Sequence, residues 1–222
     1  MGIEELKGFR TLGANERAEL GRATRVQRVP AGVVLFVEGQ RADTVWAVKE
    51  GLIHIVKRGA DGREVILEVF APGEIFGAVA ALEEGPYPVS AVAAAPSEVW
   101  RVPAGVVRNL ALRHPTLRAA LLQQVTTRLR AAHDRLRSIA LERVEQRLAR
   151  ALLALADKIG EQCGEVTVVS LTRQELADMV GTTVETTIRI TSKWQRAGLL
   201  QSSRHRLGVR DREQLHKIAG GR

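Results

Sequence analysis

Glu185 and Arg189 stand four positions apart in the segment LTRQELADMVGTTVETTIRITSKWQRA, residues 171–197. On a helix both would project from one face. An arginine can grip guanine O6 and N7 through two parallel N–H bonds, and a carboxylate can accept from cytosine N4, so this pair suits the reading of base edges in a major groove. The flanking residues spell two short helices joined by a turn. Thr172 and Glu175 have the spacing of a capping box, in which each side chain satisfies a backbone N–H of the other's residue. Leu176, Ala177 and Val180 then make an apolar stripe, and Gly181 sits where the chain must change direction at little steric cost. Thr183 is the candidate N-cap of the second helix, with Thr182 competing for that role. The same two charges would also serve as an i,i+4 ion pair on an ordinary helical hairpin. The rest of the chain has to decide between the two.

The elements that must position this pair fall within 222 residues, enough for one large domain or two small ones, with 45% hydrophobic and 26% charged residues as in ordinary globular chains. No run approaches the ~20 apolar residues needed to span a bilayer. The opening MGIEELKGFR carries acids and no apolar stretch, unlike a secretory signal. A cytoplasmic location is therefore expected. Cys163 is the one cysteine, which excludes an internal disulfide framework and a cluster held by four thiolates. The net charge of +8 is uneven: residues 1–100 carry 11 Lys/Arg against 14 Asp/Glu, and residues 101–222 carry 22 against 11. A basic C-terminal half on a mildly acidic N-terminal half implies a polyanionic partner for one half only.

Residues 29–103 read as short strands, VVLFVEG, TVWAVKEG, LIHIVKRG, EVILEVF, SAVAAA and EVWRV. Turn signals separate them at Pro30-Ala31-Gly32, Glu38-Gly39, Glu50-Gly51, Ala60-Asp61-Gly62 and Ala71-Pro72-Gly73. That rhythm predicts an antiparallel sandwich or roll, with the cleanest hairpin at Asp61-Gly62. Over residues 116–139 the period changes. Leu122, Val125, Leu129, Ala132, Leu136 and Ile139 recur at alternating spacings of three and four, the seam of a two-stranded coiled coil. The alternative is a helix packed on its own β-domain, a role open to Leu117 and Leu121. A second helix, roughly 141–159, carries Leu141, Val144, Leu148, Leu152, Leu155 and Ile159, with a domain boundary near Ser138. Residues 198–209 read as a β-hairpin whose tip gathers Arg204, His205 and Arg206. A basic wing of this kind suits phosphate contacts, which give affinity without sequence information.

A β-roll, a long seam helix and a winged helix-turn-helix, in that order, resemble the CRP/FNR family of bacterial transcription regulators. The resemblance rests on PAGVVLFVEGQRADTVWAVKEG, GADGREVILEVFAPGEIFG, EEGPYPVSAVAAAPSEVWRV and LTRQELADMVGTTVETTIRI, and covers nearly the whole chain. It implies an α+β fold: an antiparallel β-roll of the cyclic-nucleotide-binding jelly-roll type at residues 1–115, a dimerisation helix at 116–139 and a winged helix-turn-helix at 140–222. It also implies a homodimer on double-stranded DNA, with inverted half-sites ~34–36 Å apart, RNA polymerase as a partner and a possible small-molecule effector. Within the family, TTVETTIRI is closer to the FNR-like recognition pattern than to the cyclic-AMP receptor protein, in which an Arg precedes the Glu; Val184 stands there. Ile188 replaces a small hydroxyl residue and could meet a thymine methyl, which leaves a TTGA-like half-site open. Arg173 and Gln174, at the start of the first helix, are placed for backbone phosphates, and Thr172 and Thr183 are further candidate DNA-binding residues.

In the cyclic-AMP receptor protein a Glu and an Arg after the Phe-X-Gly turn bind the nucleotide; at those positions this chain has Ala78 and Val89. Its helix residues that meet the base appear as Ala132 and His133. A buried phosphate without a cation or dense N–H donors pays an uncompensated desolvation cost, so cyclic AMP is not expected. The candidate pocket is apolar, formed by Ile55, Leu67, Phe70, Phe76, Val79 and Val89 with Ser90, and with Tyr87 at its rim; the same residues could simply fill the roll. No cofactor is expected. Haem would need axial ligands, for which the candidates are His54, His114 and His133. Alternation places His54 on the face opposite Ile53 and Ile55, as a partly exposed strand residue. His114, before Pro115, reads as a helix-start residue, and His133 lies beside the seam. Metal-dependent enzymes on small rolls need clustered His and carboxylates, and the β-region has only His54. No Ser-His-Asp arrangement or phosphate-cradling glycine loop appears, so an enzyme is not expected. A haem- or gas-sensing regulator of the same family and a non-enzymatic ligand-binding module with a protein-binding C-terminal domain are the remaining alternatives.

Overall fold

A computed structural model describes residues 2–59, 61–62, 64–203 and 205–220. After a short 3-10 turn and helix α1 (Ala14–Ala23), the runs of β-branched and aromatic residues form strands. These are β1 (Arg25–Val29), β2 (Val34–Phe36), β3 (Thr44–Glu50), β4 (Ile53–Arg58), β5 (Glu64–Phe70) and β6 (Ile75–Phe76). Helix α2 (Ala78–Leu82) interrupts them before β7 (Ser90–Ala93) and β8 (Ser97–Pro103). They pair as two sheets, ordered β1-β8-β3-β6 and β2-β7-β4-β5. The β4–β5 turn is the one expected at Asp61-Gly62: Gly62 adopts φ 80° and its N–H donates to Gly59 O at 3.0 Å, while Ala60 and Arg63 lie outside the described residues.

Apolar side chains from the two sheets meet between them, which makes the structure a roll. Phe36 of β2 stacks on Tyr87 with ring centroids 3.7 Å apart. Trp46 of β3 lies 6.2 Å from Phe36 and 6.3 Å from Phe76. The polar tips inside this cluster are satisfied: Trp46 Nε1 donates to Tyr87 Oη at 3.1 Å, and Tyr87 Oη donates to Thr44 O at 2.6 Å. Burial pushes the Tyr87 phenol above its ordinary range. One strand departs from the expected alternation. His54 is only 5% exposed, and Ile53, Ile55 and Val56 are buried with it. β4 lies inside its sheet between β7 and β5, with both of its faces covered along Ile53–Val56, so the expectation of a partly exposed histidine fails.

Helix α3 (Ala104–Arg113) follows the strands, and α4 (Pro115–Leu141) runs on from it. His114 between them is extended (φ −121°, ψ 97°), as the following proline requires, and its carbonyl accepts from Leu117 and Arg118. Leu117 and Leu121 are buried in the core of the roll, as expected for residues packing on their own β-domain. The chain divides into two units, the second comprising Glu64–Ile66 and the chain from Ala132 within α4 onward.

The second unit begins its own helices with α5 (Val144–Ile159), which buries Leu148, Leu152 and Leu155. Leu141 does not belong to that stripe. It ends α4 and is 78% exposed, because the chain leaves helical geometry at Arg143, whose N–H donates to Gln146 Oε1 at 3.0 Å. Then come β9 (Glu161–Cys163), β10 (Val166–Val169), α6 (Arg173–Val180), α7 (Val184–Arg196), β11 (Leu200–Ser203), β12 (Arg206–Val209) and α8 (Arg212–Ile218). The strands form one sheet in the order β11-β12-β10-β9. The architecture is the α+β arrangement expected: antiparallel roll, long helix, winged helix-turn-helix.

Candidate nucleic-acid interface

α6 and α7 are the two helices anticipated around Gly181. Glu175 N–H donates to Thr172 Oγ1 at 3.1 Å, and Thr172 N–H donates to Glu175 Oε2 at 2.7 Å, closing the capping box. Gly181 ends α6 in the left-handed region at φ 67°, ψ 52°. Thr183 takes the N-cap of α7, its Oγ1 accepting from Thr186 N–H at 3.2 Å. α7 then divides cleanly into two faces. Thr187, Ile190, Thr191 and Trp194 are buried; Glu185, Ile188 and Arg189 are exposed, Ile188 at 45%. Glu185 and Arg189 make no hydrogen bond or ion pair with each other or with any other described residue. The i,i+4 ion pair is thus absent, and both groups are directed outward.

Side chains from neighbouring elements hold α7 in place. Glu145 of α5 accepts from Trp194 Nε1 and from Lys193 Nζ, both at 3.1 Å. Arg147 donates through Nε to Val180 O at 3.2 Å, satisfying a terminal carbonyl of α6. Sequence reading missed these ties, which join residues far apart in the chain. Arg173 is half-buried, and its guanidinium is turned towards the protein: Nε donates to Thr191 Oγ1 at 3.4 Å, Nη1 to Ser203 O at 3.5 Å and Nη2 to Ser202 Oγ. Gln174 is exposed and donates to Asp178 Oδ1 at 2.8 Å. At the wing tip His205 and Arg206 are exposed, whereas Arg204 lies outside the described residues. The His205 carbonyl accepts from Leu171 N–H at 3.1 Å, tying the tip to the residue before the capping box.

The seam residues of α4 lie open. Leu122 and Leu136 are each 65% exposed, Leu129 55%, Ile139 50% and Val125 37%. Ala132 and His133 are exposed beside them. Of the residues considered for an apolar pocket, Ile55, Phe70 and Phe76 are buried in the core, with Leu67 and Val89 packed partly buried against it. Ser90 is half-buried and accepts from Glu38 N–H at 2.9 Å, and Val79 points outward at 39% exposure. Ala78 is buried at the start of α2. His114 lies 3.4 Å from Glu16 Oε1. Among the described residues no three His, Cys, Asp or Glu side chains are grouped to hold a metal, and no helix is long and apolar enough to cross a membrane.

Known proteins share both halves of this arrangement. The cyclic nucleotide-binding domain family matches residues 26–114, and the Crp-like helix-turn-helix domain family matches residues 146–218. The chain is 30% identical over 218 residues to the nitrogen fixation regulation protein FixK of Azorhizobium caulinodans, covering 94% of this chain and 86% of FixK. It is 28% identical over 192 residues to the CRP-like cAMP-activated global transcriptional regulator of Mycobacterium tuberculosis, covering 86% of each. The structure of FixK2 from Bradyrhizobium japonicum matches it with a TM-score of 0.78 at 25% identity, over 88% of this chain and 96% of that one. A cyclic-nucleotide-binding-like roll, a long helix and a DNA-binding helix-turn-helix therefore follow one another as they do in one group of transcription regulators, and the chain belongs to that group, the CRP/FNR family.

Proposed function

We propose that the protein acts as a homodimer that reads an inverted-repeat operator, its two α7 helices entering successive major grooves about one helical turn (~34–36 Å) apart. The observation that carries this reading is the open face of α7, where Glu185, Ile188 and Arg189 are exposed and the two charges have no partner among the described residues. Glu185 would accept from a cytosine N4, Arg189 would grip a guanine, and Ile188 would lie on a thymine methyl. Thr172, Gln174, Thr183, His205 and Arg206 would contact phosphates and set the register. The apolar stripe of α4 supports the dimer: Leu122, Leu129 and Leu136 are each more than half exposed in the single chain, and a second copy of the same helix covers such a seam.

Regulation in this reading uses an effector other than cyclic AMP, or none. The M. tuberculosis relative is described as cAMP-activated, but this chain has a buried Ala78 and a half-buried Val89 in place of a carboxylate and a guanidinium. Neither side chain can pair with a ribose hydroxyl or a cyclic phosphate. The regulator would work in the cytoplasm with RNA polymerase.

The test is selection of bound sequences from a randomised duplex pool, by the wild-type protein and by Arg189→Ala. The wild type is expected to return an inverted repeat, and the variant to lose ~1–3 kcal/mol of discrimination at one guanine per half-site. Unchanged base preference at every position would remove Arg189 from the readout.

A further inference from the structure

Arg173 is the first residue of α6, and it joins three elements of the winged helix-turn-helix. Its Nε donates to Thr191 Oγ1 on the buried face of α7, and its Nη1 and Nη2 donate to Ser203 O and Ser202 Oγ on the wing strand β11. The acceptors are chemically ready for it. Thr191 spends its hydroxyl proton on Thr187 O at 2.8 Å, leaving oxygen lone pairs to receive Arg173. A guanidinium holds its donors in one rigid plane, so three acceptors on two elements fix its orientation and theirs. Leu171 N–H to His205 O adds a backbone tie between the same strand hairpin and the start of the helix pair.

We propose that Arg173 is a positioning residue: it clasps the wing to the recognition helix, and its charge is used within the protein rather than on a DNA phosphate. The proposal rests on the DNA-binding reading given above for α7. The two roles differ in what they do to salt dependence. Each phosphate neutralised contributes to the slope of binding against salt, whereas a clasp lowers affinity at every salt concentration equally when it is lost. They also differ in the free protein, where only a clasp restrains the wing.

The experiment compares wild type, Arg173→Ala, Arg173→Lys and Ser202→Ala by amide hydrogen exchange of Ser202 and Ser203 in the free protein. Titration of a mixed-sequence DNA duplex over a range of salt concentrations is the second readout. Arg173→Ala and Arg173→Lys are expected to speed exchange of the wing amides about tenfold and to weaken duplex binding about fivefold, with the salt slope unchanged. Ser202→Ala alters no charge and is expected to shift both readouts in the same direction, which keeps the test available if an Arg173 variant fails to fold. A slope reduced by about one phosphate contact in Arg173→Ala, with wing exchange as in the wild type, would overturn the proposal. So would an Arg173→Lys protein indistinguishable from the wild type. Absence of duplex binding by the wild type would sink the DNA-binding reading instead, and the exchange comparison would still decide the clasp.

Discussion

Glu98 on β8 receives Arg28 Nε from β1 at 2.5 Å and Lys49 Nζ from β3 at 2.6 Å, so one carboxylate joins three neighbouring strands. The hydrogen bond from Lys49, then that from Arg28, holds its carboxyl below the ordinary carboxylate range. A carboxyl whose pKa is depressed on folding stabilises the folded state above its unfolded pKa, and that contribution fades as pH falls through the folded value. Glu98→Gln is therefore expected to lower the denaturation midpoint near neutral pH. The gap between variant and wild type should close on acidification below the carboxylate range; a gap constant with pH would contradict the linkage. At this scale the chain was legible wherever chemistry follows from local spacing. Glu185 and Arg189 share a face because a helix repeats every 3.6 residues, and the Thr172–Glu175 box closes within one turn. Arg173 reads as a phosphate contact because Ser202 lies 29 positions away, and no local pattern brings them together.

Among the elements, the turn between α6 and α7 offers the sharpest test. Gly181 sits at φ 67° with nothing within 4 Å of where a Cβ would stand, so alanine meets no neighbour and suffers only the left-handed backbone. Gly181→Ala is expected to cost about 1–2 kcal/mol of stability, measured by denaturant unfolding. Strands with clear alternation between glycine turns were readable, as were helices with long apolar stripes. The hairpin of β9 and β10 was not: its strands hold only EQC and VTVV, too few residues to display a period. β1, with RVQRV, exposes three of its five residues and offers little apolar signal. α8 is announced only by Asp211, whose carboxylate accepts from Gln214 N–H at 2.9 Å. His54 reads as exposed because alternation assumes one wet face, and β4 has none along Ile53–Val56.

For the whole molecule, the decisive question is what covers the stripe on α4. Leu129 is 55% exposed in the single chain, so replacing it leaves the core of the roll intact. Leu129→Asp would place a carboxylate in the proposed seam on both copies. Sedimentation is expected to show a dimer constant weakened about a hundredfold or more, with helical content unchanged and binding to inverted repeats lost in parallel. A variant that remains dimeric would move the interface elsewhere. The order of roll, long helix and winged domain could be read from the chain, because each has its own periodicity. The state of the roll's interior could not, since it depends on how rings from separate strands interlock.

That interlocking gives the protein an optical handle of its own. Trp46 donates its indole proton to Tyr87, and Tyr87 lies flat against Phe36. A guest that wedged between Phe36 and Tyr87 would part those rings and disturb the acceptor of the indole. Unlabelled protein titrated with candidate metabolites would then report their arrival as a change in intrinsic fluorescence.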